Sequence, residues 1–242
     1  MRKFLAALTL ITPIPIPGFM PEEKDLEGCK AFFPVVGLVL GIVGYLITVA
    51  LQVVFPRLVT AIMLVVMLEL FSKCFHLDGL ADTADGFFSS RPREKKLEIM
   101  RDSRIGAMGV FAMLAVLGLK AAVFYCISPA LLKYAVLLAP LAGRCAMPMY
   151  ISITGYARSS GMAEVLYRRQ SLLNFIWPLS FMLLAAWWLF SWHGIIGALA
   201  VAVWVIFWRS ESFRQLGGGT GDTIGTCEEI AELLILLVLV AG

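Results

Sequence analysis

Apolar and polar positions alternate along this chain on a long scale, with greasy stretches of about twenty residues set between short polar segments. Spans are expected near 31–55, 58–75, 107–128, 130–153, 172–190, 193–208 and 226–242, the sixth and seventh being short for a crossing. Stretches of that length suit helices that cross a hydrocarbon core, and they exceed the roughly ten-residue strands of an outer-membrane barrel. The pattern predicts an all-α, polytopic membrane-embedded helical bundle of about six to seven transmembrane helices, with residues 1–242 as one domain. The amino terminus, MRKFLAALTLITPIPIPG, has a basic start and an apolar run that Pro13, Pro15 and Pro17 cut short. It is expected to be interfacial or re-entrant, rather than a span or a cleaved signal peptide.

Composition agrees: 60% of the residues are hydrophobic and 15% charged, against roughly half and a quarter in soluble domains. The basic residues sort to one side once the spans are drawn. Arg2, Lys3, Lys24 and Lys30 precede the first span; Arg91, Arg93, Lys95, Lys96, Arg101 and Arg104 follow the second. Arg158, Arg168, Arg169, Arg209 and Arg214 fall on that same side, and only Arg57 and Lys133 fall opposite. Positive loops face the cytoplasm, so the chain is expected to be a multi-pass membrane protein with its polar motifs on the cytoplasmic face. Cys29, Cys74, Cys126, Cys145 and Cys227 show no metal or disulfide spacing. No basic run interleaved with aromatics suggests nucleic acid.

The apolar pattern breaks at CFHLDGLADTADGFFSSRPREKKLEIMRDSRIGAMGV, from Cys74 to Val110. Asp78, Asp82 and Asp85 stand at i, i+4 and i+7, within an arc of about 60° on a helix. Three carboxylates on one stripe, without a basic partner at helical spacing, repel one another unless protonated or bridged by a cation; Mg²⁺ takes oxygen ligands of this kind. A solvated acidic helix end is the competing reading. Gly79 and Gly86 allow close approach of a phosphate or of another backbone. His76, two positions from Asp78, points away from the stripe on a regular helix; a phosphate contact, a satisfied interfacial histidine and proton transfer remain open for it.

Residues 93–104 read as an amphipathic helix with Leu97, Ile99 and Met100 on its buried side, closed by Asp102, Ser103 and Arg104. Arg101 and Arg104, beside an acidic metal site, suit a pyrophosphate, because guanidinium forks match phosphate oxygens. A glycine-rich patch, GGGTGDTIGTCEE from Gly217 to Glu229, resembles a phosphate cradle at a helix start, although it lacks the lysine of a Walker motif. The acids in it and just after it, Asp222, Glu228, Glu229 and Glu232, would need a cation between them and a phosphate, which makes the patch a candidate second half of one metal–phosphate site. Within the apolar segments, Glu69 and Lys73 can pair at i, i+4, and Lys120 can line a polar seam. Arg144 needs either an acid from another span or an anionic substrate.

HLDGLADTADG and LEIMRDSRIGAMG together resemble the signature of the cobalamin-5'-phosphate synthase family, the adenosylcobinamide-GDP ribazoletransferases. TPIPIP, FPVVGLVLG, the Arg144 segment, YAR followed by GMA from Tyr156 to Ala163, and GGTGDTIG follow in that family's order, GMA being a departure from its more usual GLG. The resemblance implies transfer of the cobinamide-phosphate group of adenosylcobinamide-GDP to α-ribazole or its 5'-phosphate, with release of GMP. It also implies Mg²⁺ as cofactor, an inner-membrane location, and other cobalamin-pathway enzymes or further copies of the chain as partners. Under it, the expected metal ligands are Asp78, Asp82, Asp85, Asp102 and Glu229. Arg104, Arg144, Arg158, Asp222, Gly218 and Gly219 are expected to hold substrate, and Asp82 and His76 to act in catalysis. A CDP-alcohol phosphotransferase would also place aspartates at a membrane edge, but its Ala-Arg pair and second aspartate pair are missing here. A secondary transporter would show repeats and midplane charges.

Overall fold

The computed structural model describes residues 1–241, and they are all-α, in accord with the apolar pattern. A short α1 (Arg2–Ile11) stops just before the proline run. Arg2 Nε donates to Asp25 Oδ2 at 3.0 Å, tying α1 to α2 (Glu23–Cys29), whose start is closed by a reciprocal Glu22–Asp25 capping box. A single 3-10 turn leads into α3 (Phe33–Val54). After it come α4 (Arg57–Leu70), α5 (Phe75–Phe87), α6 (Arg93–Ile99), α7 (Ala107–Cys126), α8 (Pro129–Ile153), α9 (Glu164–Tyr167), α10 (Leu173–Leu216) and α11 (Gly221–Ala241).

The bundle is organised around α8, against which α3, α10 and α11 all pack. Small residues allow the approach, as expected where helices gain by close packing in lipid. A side chain on Gly37 of α3 would stand 2.7 Å from the Pro140 carbonyl oxygen of α8.

Two breaks depart from the expected spans. α4 ends at Leu70, and Lys73 and Cys74 take left-handed φ of 55° and 59°, so that α5 leaves at 86° to α4. Left-handed backbone costs a non-glycine residue about 1–2 kcal/mol, so this corner is imposed by the packing on either side of it. The expected Glu69–Lys73 pair therefore does not form: Lys73 is exposed beyond the helix end, and Glu69 turns inward. The second break is Ser191, with φ 53° and ψ −130°, inside α10. Gln170, just before α10, donates to the Thr154 carbonyl, and Arg209, near its far end, donates to the Ile153 carbonyl. Both ends thus lie at one face, and 173–190 and 192–216 form a hairpin, two arms where two spans were expected.

Arg57 donates to the Ile127 carbonyl and Gln52 to the Pro129 carbonyl, so the α3–α4 and α7–α8 turns share the opposite face. Arg57 and Lys133 lie there, apart from the other basic positions, as the charge pattern predicts. Among the described residues, four helices are long and apolar enough to cross a membrane, or five if the bent α4–α5 pair is one span; α10 is one of the four despite its turn. α11 begins five residues before the expected span and carries three buried glutamates, Glu228, Glu229 and Glu232.

Candidate active site

α5 is a regular helix through the whole acidic segment, so Asp78, Asp82 and Asp85 do share one stripe. It is pressed against the start of α11 by glycines on both partners. A Cβ on Gly79 would lie 2.8 Å from the Asp222 carbonyl oxygen, and one on Gly225 would lie 2.9 Å from that of His76. Thr226 Oγ1 adds a hydrogen bond to the Gly79 carbonyl at 3.2 Å. Of the two approaches that Gly79 could serve, the structure shows that of a backbone; Gly86 shows neither, since the Met100 side chain packs against it.

This contact brings the two expected halves together. Asp82, half-buried, is within electrostatic range of Asp222, Asp78, Asp85 and Arg158. Arg158 Nη2 donates to Asp222 Oδ2 at 2.8 Å, and Thr220 Oγ1 reaches the same oxygen at 3.2 Å. Among the described residues, Arg158 Nε is buried without a partner, and neither the Asp78 nor the Asp82 carboxylate takes part in a hydrogen bond or ion pair. An uncommitted cluster of oxygen donors with one guanidinium beside it suits a hard divalent ion and a phosphate. A cavity of about 440 Å³ adjoins it, lined by Arg93, Leu97, Arg101, Ala157, Arg158 and Ser159.

Asp85 has a further task. Its Oδ2 accepts the Gly106 amide at 2.6 Å and its Oδ1 that of Gly109 at 2.9 Å, so it caps α7 from outside the helix. Any side chain at Gly106 or Gly109 would collide with that carboxylate, which accounts for both glycines of RIGAMG.

The glycine-rich patch is folded differently from a cradle. Gly219 donates its amide to the Gly155 carbonyl at 2.8 Å and accepts that of Ala157 at 2.8 Å, an isolated parallel bridge opposite Tyr156. Gly218 and Gly219 are buried against residues 155–157 and against the hydroxyls of Tyr150 and Tyr167. Glycine is required by this crowding rather than by an open loop. Thr220 and Thr223 then cap α11 reciprocally, at 2.7 and 3.2 Å. The patch thus sets the position of Asp222 and Arg158, while its own Gly219 amide is already used.

Other expected residues lie elsewhere. α6 ends at Ile99, five residues short of the expected helix. Beyond it Asp102 and the well-exposed Arg104 pair with each other, Nη2 to Oδ2 at 2.6 Å, and the Arg104 hydrogen bonds pull the Asp102 carboxyl down to about 2. His76 points away from the stripe, as its spacing predicts, and is 1% exposed, with Nδ1 3.0 Å from Glu228 Oε2. Arg144 meets acids of another helix, Glu228 and Glu232 of α11, which answers the alternative left open in the sequence. Glu229 bonds to Lys120 at 2.7 Å, and Lys120 also takes Glu69 of α4 and Glu232; it lines a polar seam between helices, as expected, and is fully buried there. These ionic groups continue into the middle of the bundle, which the acids at the membrane edge did not suggest.

Sequence reasoning missed Arg93, which donates to the Leu216 carbonyl at 2.6 Å and to that of Ala157 at 2.8 Å, locking the end of α10 to the Arg158 segment. No local signal marks it among the neighbouring basic residues. It also missed the pairing of Lys120 and Arg144 with α11, which glutamates four residues apart within an apolar run could have suggested.

Fold and site together define a helical integral membrane protein with an acidic, arginine-flanked site at one face of its bundle. Residues 3–240 match the cobalamin-5-phosphate synthase family model, and the chain belongs to that family. A Citrobacter koseri protein named adenosylcobinamide-GDP ribazoletransferase is 38% identical, over 98% of this chain and 99% of its own length. Proteins of the same name from Desulfitobacterium hafniense, 34% identical over 98% and 96%, and from Roseiflexus sp., 38% over 96% and 87%, are similar throughout. No solved structure matches the chain.

Proposed function

We propose that this chain transfers the cobinamide-phosphate group of adenosylcobinamide-GDP to α-ribazole or α-ribazole 5'-phosphate, assembling the nucleotide loop of cobalamin and releasing GMP. Membership of the family across residues 3–240 carries the reading. In the step, a ribazole hydroxyl oxygen forms a bond to the cobinamide phosphorus, the bond from that phosphorus to the bridging oxygen breaks, and GMP leaves with the bond's electrons. The hydroxyl proton goes to Asp82, whose carboxylate has no other partner among the described residues. Arg158, held by Asp222 with Nε unused, takes a phosphate oxygen, and Arg101 across the adjoining cavity takes another. Asp78, Asp82 and Asp222 would hold Mg²⁺, whose charge would offset that of the pyrophosphate and of the leaving GMP. With no covalent nucleophile identified among the described residues of the site, direct in-line displacement is preferred.

The site face is assigned to the cytoplasm of the inner membrane, because the basic residues gather there and only Arg57 and Lys133 gather opposite. The test is incubation of the purified protein with adenosylcobinamide-GDP, α-ribazole and Mg²⁺. Equal yields of GMP and a corrinoid bearing the ribazole nucleotide are expected. GMP without that corrinoid, or neither product, refutes the transfer.

A further inference from the structure

On the side of α5 turned away from the acidic stripe, four glutamates, Glu69, Glu228, Glu229 and Glu232, face Lys120 and Arg144, all of them buried. Four carboxylates against two cations leave two negative charges in excess within a membrane-embedded interior, where unbalanced charge is costly. Three of these glutamates bind a basic side chain through one oxygen and leave the other over. Glu228 gives Oε1 to Arg144, Glu229 gives Oε2 to Lys120, and Glu69 gives Oε1 to Lys120 while its Oε2 is buried without a partner.

His76 supplies an independent observation. Its ring is 1% exposed, yet neither nitrogen makes a hydrogen bond among the described residues. Nδ1 nevertheless stands 3.0 Å from Glu228 Oε2. Two ligand atoms bound at right angles to one ion with bonds of roughly 2.1 Å are separated by about 3 Å, so this spacing suits two ligands of a shared ion. One ligand atom each from His76, Glu228 and Glu229 lie within 4.8 Å of one another.

We propose that His76, Glu228 and Glu229 bind a divalent transition metal ion, separate from the Mg²⁺ proposed at the outward stripe. One imidazole nitrogen with two carboxylates favours Zn²⁺, Mn²⁺, Fe²⁺ or Co²⁺, since Mg²⁺ prefers an all-oxygen shell. A divalent ion cancels the excess charge. Lys120 and Arg144 then act as outer-shell partners that fix the two carboxylates. The ion joins α5 to α11 through His76, six residues from Asp82, and Glu228, six from Asp222, and so holds the two halves of the active site at a fixed distance.

The intact chain in detergent, equilibrated with Mn²⁺ and dialysed against Mg²⁺ buffer, tests this without reference to turnover. The wild type and Asp82→Asn are expected to keep about one equivalent of Mn²⁺, and His76→Gln and Glu229→Gln to bind it at least about tenfold more weakly. The chain has only two histidines, and His193 lies in the second arm of α10, near its turn. Pulsed EPR of wild-type protein labelled with ¹⁵N-histidine is therefore expected to show a histidine nitrogen on the ion, and this decides the matter even if His76→Gln does not fold. Wild type without bound Mn²⁺, bound Mn²⁺ without a histidine coupling, or equal loss in Asp82→Asn and His76→Gln overturns the proposal.

Discussion

Two faces of one short helix carry ionisable groups under opposite rules. The stripe of Asp78, Asp82 and Asp85 is solvated or half-buried, and Arg158, the guanidinium within electrostatic range of Asp82, is shared with Asp222. The interior cluster around Lys120 and Arg144 is sealed, and each cation there holds at least two glutamates at ion-pair distance. Uncommitted charge can receive a substrate; committed charge, out of water, acts as framework. Residue type does not separate the two regions, because both are dominated by carboxylates. What separates them is how many of the oxygens already have a partner.

The strongest way to break the comparison is at Asp82. Asp82→Asn keeps the shape and removes a carboxylate that nothing else neutralises, so turnover is expected to fall by at least about 10³-fold while thermal stability in detergent holds. Excess EDTA is expected to stop the wild-type reaction, and added Mg²⁺ to restore it. Full turnover in EDTA would detach the stripe from metal chemistry. Arg144→Met makes the complementary test on the interior. It strands Glu228 and leaves Glu232 with Lys120 alone, and is expected to cost about 3–5 kcal/mol of stability, read from denaturant unfolding in micelles. Adding Glu228→Gln and Glu232→Gln to that variant should recover part of the loss; no recovery would mean that Arg144 acts by packing alone.

How far the sequence discloses these regions follows from the range of the forces. The apolar periodicity shows the bundle, and helical spacing shows the stripe and the turn of His76 away from it, because both are local. The corner at Lys73 and Cys74 was hidden, since no glycine marks the left-handed residues and packing imposes them. The partners of Arg144 lie 84 and 88 residues away, so no spacing around Arg144 itself points to them, and only the glutamates recurring within the last apolar run give a signal. The glycines of GGGTGD looked like a phosphate cradle because loops and tight packing use glycine for the same reason, the absence of Cβ. Only the position of Tyr156 and Tyr167 tells the two uses apart.

The seam between the regions gives an intermediate effect. Gly225→Ala would drive a methyl group toward the His76 backbone, at 2.9 Å from its carbonyl oxygen. Overpacking of this kind costs about 1–3 kcal/mol, and it should also lower turnover by moving α5 from Asp222. Gly118, inside α7, where a Cβ would meet open space, is the control: Gly118→Ala should lower neither stability nor turnover.

The smallest effects separate two arginines that sequence alone treats alike. Arg158 is 13% exposed, anchored on Asp222, and has a donor to spare, so Arg158→Ala is expected to lower kcat/KM by about 10²-fold through lost phosphate contacts. Arg104 is 87% exposed and already occupied by Asp102. In water such a pair is weak and screened by salt, so Arg104→Ala should change kcat/KM by less than about threefold and still less at high ionic strength. The same pair predicts a pH signature well away from catalysis. Asp102 is lowered to about 2, so its ion pair is complete above the ordinary carboxylate range and is lost as pH falls toward about 2. Arg104→Ala should let Asp102 titrate near about 4, which an NMR titration would read directly. A loss in Arg104→Ala as large as that in Arg158→Ala would show that Arg104 leaves Asp102 to grip substrate, and would extend the active site across the α6–α7 loop.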